Sequence, residues 1–331
     1  MNNKLIPIAI GAVVGMIAAV LVVNSGMEPD TNTFNKLDPV VEWAMADVFK
    51  SPPPVTEHGW NVDRMIVFVH LLMGVLFIGW TIYFLYCIWA FRSSNHPKAE
   101  PQGPSKVATT VAEYCVIVAE VVLIASFAVP LWADVVNEEK LDEIKKAAAT
   151  DEGLEIHILG RQFNWCARYA GLDKKFAEQS IEWADKGGNP FGLNRDDSGN
   201  YRDDTDDITV ETATQENPIM IPMDTPVALK ITSMDVIHSF KVLPLRVCKD
   251  AIPGLQLPIH FNAKTELLKE SMGDKEVRKN GYVYLITCAQ LCGDGHGQMA
   301  GIVKIVPKEE FNKWIAERSP KNSDQLAQAG Q

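Results

Sequence analysis

Between Arg64 and Arg92 lie twenty-seven residues, MIVFVHLLMGVLFIGWTIYFLYCIWAF, with no charged side chain. As a helix this run is about 40 Å long, more than the ~30 Å hydrocarbon core of a bilayer. A backbone in hydrocarbon must satisfy its own hydrogen bonds, so Met65–Phe91 is expected to be a membrane-crossing helix. A second stretch, Val107–Val135, is interrupted only by Glu113, Glu120 and Asp134, and residues 5–23 (LIPIAIGAVVGMIAAVLVV) form a third, after Lys4. No A-x-A-like cleavage site follows residue 23, which favours a retained helix over a cleaved signal peptide. The connection RSSNHPKAEPQGPSK carries Arg92, Lys98 and Lys106, and the positive-inside rule places it in the cytoplasm. Lys4 then lies inside too, and everything after residue 136 lies outside.

Carboxylates within a membrane helix face protein or water rather than lipid. Glu113 reads either as a hydrated residue near the cytoplasmic interface or as part of a proton pathway. Glu120, seven residues on, shares its face and is expected to meet a partner subunit. Cys87 and Cys115 read as inert buried thiols.

The chain has 331 residues and a formal charge of −11, which argues against a nucleic-acid partner and suits a basic protein. Six cysteines with one close pair make no disulfide framework, and no CxxCH is present for covalent haem attachment. From residue 154 the pattern turns to short β-rich runs: LEIHILGRQFNW, ITVET, PVALKITSM, YVYLIT and GIVKIVP. These predict a β-sandwich or Greek-key barrel. The division expected is 1–59 for the first helix or signal and an extracytoplasmic linker, 60–136 for a helical hairpin, 150–310 for the β-domain, and 311–331 for a short helix and flexible tail. A polar insertion at about 186–207 holds six aspartates between Asp196 and Asp207. It reads as a solvated loop, with a cationic docking surface or a loose cation site as the alternatives. Residues 262–280 read as a second insertion.

The chemistry concentrates in CAQLCGDGHGQM, residues 288–299. Strand alternation puts Tyr282, Tyr284 and Ile286 on one face and delivers Cys288 to a loop. Cys292, His296 and Met299 follow within that loop, and Gly293, Gly295 and Gly297 allow positive φ angles that fold it back. Thiolates with a thioether select soft or redox metals, and imidazole admits copper, zinc and iron. Zinc or a disulfide is the structural alternative for the cysteine pair. A second histidine is expected from elsewhere, and His238, in ITSMDVIHSFKVLP, stands at a strand edge suited to it.

The segments DVIHSF and CAQLCGDGHGQM, in that order and after two long apolar helices, resemble subunit II of the cytochrome c oxidases of the haem-copper superfamily. The resemblance covers most of residues 60–318 and implies a membrane-anchored cupredoxin-like domain with a dinuclear copper (CuA) centre. Cys288 and Cys292 would be bridging thiolates, His238 and His296 terminal imidazoles, Met299 a weak axial ligand, and Gln290 a ligand through its backbone carbonyl. LRVCKDAIPGL and GRQFNW resemble further family blocks, the latter one that accepts electrons from cytochrome c. That assigns electron uptake to Trp165 and Phe163, although Phe163 stands where the family usually has tryptophan. Glu113, seventeen residues before Pro130, matches the spacing between a proton-channel glutamate and the proline that ends its helix. Many members have glutamate at position 290, whose side chain binds magnesium, so Gln290 predicts a weaker or absent magnesium ion. Lys241, Leu255 and Glu120 also depart from the family pattern and suggest a divergent bacterial branch.

The resemblance implies the electron-accepting subunit of a respiratory oxidase in a bacterial inner membrane, with its copper domain on the periplasmic side. Electrons would come from a c-type cytochrome and pass to haem in subunit I, where oxygen is reduced and protons are pumped. The expected partners are subunit I, other oxidase subunits, the donor cytochrome and lipid. The oxygen-reducing site itself would lie in the partner subunit. The alternative is a membrane-anchored copper-binding or chaperone protein, which would need neither two long helices with an internal glutamate nor a second histidine from a distant strand. Cys166 and Cys248 are expected to be spectators.

Overall fold

The structure is a computed structural model that describes residues 38–95, 98, 106–135, 137–184, 188–195, 206–272 and 281–319. The stretch 5–23 and most of the aspartate run therefore lie outside the described residues. The chain divides into two compact units, one containing residues 61–134 and the other residues 52–60 with those from 135 onward.

The first unit is helical. A short helix α1, Asp38–Trp43, runs into a π-helical turn, Ala44–Val48. Helix α2, Glu57–Ala90, begins before the uncharged run and carries it almost to its end. Helix α3, Lys106–Leu123, continues through a π-helical turn, Ile124–Ala128, into α4, Val129–Val135. Glu57–Ala90 and Thr109–Ser126 are both long and apolar enough to cross a membrane. Their large side chains are bare: Phe77 is 73% exposed and Trp80 67%. A helix apolar on all sides and uncovered in the isolated chain calls for lipid or a partner protein around it. Pro130 does not end its helix but is the second residue of α4. Proline lacks an N–H and crowds the carbonyl four residues back, and the widened turn just before it absorbs both.

The second unit is a sandwich of two five-stranded sheets. In chain order the strands are β1 Leu154–Arg161, β2 Asn164–Tyr169, β3 Ile208–Val210, β4 Ile219–Pro222, β5 Pro226–Ser233, β6 His238–Val242, β7 Val247–Ala251, β8 Leu257–Asn262, β9 Tyr282–Cys288 and β10 Ala300–Val306. One sheet has the order β3-β2-β1-β5-β8 and the other β4-β10-β9-β6-β7. The β1–β5 and β4–β10 pairs are parallel and the remaining pairs antiparallel, so chain neighbours are repeatedly separated in space. Ile156, Ile158, Leu229 and Ile231 of the first sheet meet Val242, Tyr282, Ile286, Val303 and Ile305 of the second in one buried core. Strand β9 alternates as its sequence predicts, with Tyr282, Tyr284 and Ile286 buried and Val283 and Leu285 exposed. This is a cupredoxin-like β-domain following apolar helices.

Three helices flank the sandwich: α5 Glu138–Ala148, α6 Thr265–Met272 and α7 Lys308–Arg318. The Asn137 side chain caps α5, accepting from the N–H groups of Glu139 and Lys140, and Leu141 and Ile144 bury its inner face. Helix α6 lies where the second insertion was expected. Strand β4, IMIP, is buried at all four positions, so no alternation marks it in the sequence.

Asp206 and Asp207 correct the reading of the aspartate run as solvated. Both are buried. Asp206 accepts from the N–H groups of Leu172 (2.5 Å) and Asp173 (3.3 Å) and from the Ser319 hydroxyl, which pins the end of α7. Asp207 pairs with the buried Arg168 and accepts from Ala177 N–H at 3.2 Å. They are fold-holding carboxylates, because a buried charge persists only where it is paired. The other four aspartates of the run lie outside the described residues.

Candidate metal centre

The β9–β10 connection and the start of β6 bring the ligand candidates together. Phe240 of β6 pairs with Cys288, the last residue of β9, so the first residue of β6, His238, stands beside the cysteine. The loop closes on itself where Cys288 N–H donates to Met299 O at 3.3 Å, and Ala289 N–H ties it to Ser239 O at 2.9 Å.

The donor atoms converge. The Cys288 and Cys292 sulfurs are 3.8 Å apart, and Cys288 Sγ is 4.0 Å from His238 Nδ1 and 3.1 Å from the Gln290 carbonyl oxygen. Cys292 Sγ lies 3.5 Å from His296 Nδ1 and 3.7 Å from Met299 Sδ. His238, Cys292 and Met299 are buried, Cys288 and His296 half-buried, and the Gln290 side chain is exposed. Both cysteines are free, and 3.8 Å is far beyond the ~2.05 Å of a disulfide. Two thiols, two imidazole nitrogens, a thioether and a carbonyl form a soft donor set that fits copper; zinc is satisfied by two thiolates and two imidazoles, so the thioether and the carbonyl go beyond what zinc requires. Burial and the neighbouring Cys288 thiol push the Cys292 thiol up to about 11. Binding a cation therefore releases protons, because a metal ligates the thiolate.

Of the three loop glycines only Gly293 has a positive φ, +129°. Gly295, with φ −88°, is needed for close approach: a Cβ there would lie 2.5 Å from ring carbons of Phe163. Gly297 has open space around its Cα. The expectation of three positive-φ glycines thus holds for one, and ring packing accounts for the second.

Phe163 sits at the tip of the β1–β2 hairpin, where the pairing Arg161↔Asn164 leaves only Gln162 and Phe163 outside the ladder. The Gln162–Phe163 peptide is cis. Phe163 is 38% exposed, whereas Trp165 is fully buried, its ring centroid 5.9 Å from that of His238 and 5.2 Å from that of Phe240. A Cβ on Gly160 would come within 3.0 Å of both His238 and Trp165, so this glycine makes room for the imidazole. Glu113 and Glu120 lie on α3 in the other unit, both exposed in the isolated chain. Cys166 is buried, with its thiol pushed up to about 11 by burial and its Sγ 2.9 Å from Glu211 O; Cys248 is exposed.

Asp235 is a site residue that the sequence reading assigned no role. Its Oδ1 lies 2.8 Å from His238 Nε2 and 2.7 Å from Val236 N, and its Oδ2 accepts from Gln162 N–H at 2.7 Å. Partial burial pushes its carboxyl up, but the bonds from Gln162 N–H, His238 and Val236 N–H outweigh that and hold it below the usual carboxylate range. The available signal was its position three residues before the histidine in DVIHSF.

Comparison with known proteins gives a consistent result. The family described as cytochrome C oxidase subunit II, periplasmic domain, matches residues 154–306. The probable cytochrome c oxidase subunit 2 of Rickettsia prowazekii is 30% identical over 268 residues, covering 80% of this chain and 70% of the relative. The alternative cytochrome c oxidase subunit 2 of Bradyrhizobium diazoefficiens is 23% identical over 268 residues, 80% of this chain and 83% of that one. The heme-copper oxidase subunit 2 of Aeropyrum pernix is 26% identical over 242 residues, 72% of this chain and 82% of that one. With its apolar helices, its cupredoxin-like sandwich and its Cys/His cluster, the chain belongs to the cytochrome c oxidase subunit 2 family.

Proposed function

We propose that this chain is the electron-accepting subunit of a respiratory terminal oxidase, taking electrons from a c-type cytochrome at a dinuclear copper centre and passing them to haem in subunit I. The observation that carries this reading is the convergence of Cys288, Cys292, His238 Nδ1, His296 Nδ1, Met299 Sδ and Gln290 O, each within 4.0 Å of one of the two sulfurs. Copper held by these residues would supply one-electron exchange. The protein's part is to hold the donors still and dry: His238, Cys292 and Met299 are buried, and the loop is closed by its own backbone. His296 is half-buried and leaves one edge of the cluster near solvent.

Phe163 and Trp165 are assigned to electron uptake. Phe163 presents an exposed ring against Gly295, and Trp165 links the hairpin to His238 from within the core. Exposed Leu291, Val236 and Ile237 adjoin the ligands in sequence and suit the apolar centre of a docking face for the donor cytochrome. In this reading residues 60–136 are the membrane hairpin, 150–310 the copper domain on the periplasmic side of a bacterial inner membrane, and 311–331 a short helix with a tail. Glu113 collects protons from the cytoplasmic side, Glu120 faces a partner subunit, and Gln290, lacking a carboxylate, leaves magnesium weak or absent at the subunit I interface.

The test is the full chain in detergent, loaded with copper. A purple protein with a seven-line copper hyperfine pattern supports the reading. A single-copper pattern, or signals unchanged in His238→Ala and His296→Ala, would sink it. In the assembled oxidase, Glu113→Gln is expected to slow turnover; unchanged turnover removes the proton role.

A further inference from the structure

We infer that Gln162 and Asp235 are positioning residues for the metal centre: they form a hydrogen-bonded bridge from Cys292 through the tip of the β1–β2 hairpin to His238. The bridge fixes which imidazole nitrogen faces the cysteines and couples the two ligand-bearing loops. The inference rests on the copper reading above and adds what orients the ligands.

His238 reaches the site from a strand fifty residues before Cys288, so nothing in the cysteine loop itself sets its tautomer. Asp235 does. Its carboxylate accepts backbone N–H groups on both oxygens, from Val236 at 2.7 Å and from Gln162 at 2.7 Å. With a backbone N–H already aimed at each oxygen, Oδ1 is placed as an acceptor for His238 Nε2–H, 2.8 Å away. Nδ1 then keeps its lone pair and is the nitrogen turned to Cys288 Sγ, at 4.0 Å. Metal-binding histidines are commonly oriented by such an outer carboxylate.

Gln162 joins the two halves. Its main-chain N–H serves Asp235, and its side-chain Nε2 donates to the Cys292 carbonyl at 2.7 Å. The same residue thus grips the histidine loop with its backbone and the cysteine loop with its side chain. Its own place is set by the hairpin, whose ladder ends at Arg161↔Asn164, and by the neighbouring Phe163 ring lodged over Gly295. Gly160 packs against the imidazole, with no room to spare for a Cβ. A displacement of the hairpin tip would therefore reach both sulfurs and the imidazole together.

The experiment uses the full chain in detergent, copper-loaded, with Asp235→Ala, Asp235→Asn, Gln162→Ala and the double variant Asp235→Ala/Gln162→Ala. The readouts are the rate of copper loss to an excess chelator and the histidine nitrogen couplings in electron–nuclear double resonance. Melting of the copper-free proteins checks that each folds. Asp235→Ala is expected to lose copper about 10- to 100-fold faster and to change the nitrogen couplings. Asp235→Asn, which keeps an acceptor for Nε2–H, recovers most of that loss. Gln162→Ala speeds loss less and shifts the sulfur-to-copper absorption bands. The double variant falls short of the product of the two single effects, because a bridge is broken only once. Variants that hold copper like the parent with unchanged couplings, or single effects that multiply independently, overturn the bridge. A parent chain that takes up no copper overturns the underlying reading, and the bridge with it.

Discussion

The cysteine loop, residues 288–299, and the β1–β2 hairpin, Leu154–Tyr169, meet where Phe163 covers Gly295 and Gln162 bonds Cys292, yet they are built on opposite plans. The loop holds five ligand candidates in twelve residues, mostly in irregular backbone. The hairpin holds no ligand candidate and is regular almost throughout. One of its faces sends Ile156, Ile158, Trp165 and Tyr169 into the core. Its other face carries polar pairs: half-buried Glu155 with His157 at 2.8 Å and Lys230 at 2.7 Å, and buried Arg168 with Asp207. The difference teaches that chemistry and rigidity are divided between the two. The loop supplies donors that cost little to fold, and the hairpin supplies the fixed surface on which they are held.

The largest expected effect tests the loop. His296→Ala is expected to abolish the two-copper spectrum while leaving the melting temperature of the copper-free protein within a few degrees, since His296 is only half-buried and changes at partly exposed loop positions move stability little. A melting loss as large as that of a core variant would break the division of labour. Asp207→Ala tests the other side: it strands the buried Arg168 and is expected to cost about 3–5 kcal/mol in urea unfolding, with the copper spectrum intact in the folded fraction.

Acid sharpens the same contrast. Hydrogen bonds and charge from His157 and Lys230 outweigh burial at Glu155 and hold its carboxyl at about 2, against 4.5 for an ordinary glutamate. A depressed carboxylate stabilises the fold fully above its unfolded value and loses that contribution as pH falls through the folded one. Stability is therefore expected to decline between about pH 4.5 and 2, by at most about 3 kcal/mol from this group. Glu155→Gln, followed by unfolding at several pH values, is expected to flatten that decline; an unchanged slope counts against the network. The smallest effect lies at the junction. Gly295→Ala drives a Cβ into the Phe163 ring and is expected to cost about 1–3 kcal/mol. Phe163→Ala in the same chain relieves the clash, and the double-variant cycle measures it.

Much of this was legible in sequence because it is local. Strand β9 announces itself by alternation, α7 by apolar residues at 311, 314 and 315, and the two long helices by their extended apolar runs. Other elements left no periodic trace. Strand β4 is buried on every side, and α5 is a polar helix that buries only Leu141 and Ile144. The aspartate run misled because composition cannot distinguish a hydrated carboxylate from Asp206 and Asp207, whose partners stand 30 or more residues away in the chain.

The sequence alone determined the donor types, their spacing and the two long apolar helices, because these depend on residue identity within a few turns or a single loop. Only the tertiary structure decided which nitrogen of His238 faces the cysteines, why Gly295 must be glycine, and which aspartates are buried. Each of those depends on atoms brought together by strand pairing across tens of residues, and contacts of that range are set by packing rather than by local pattern.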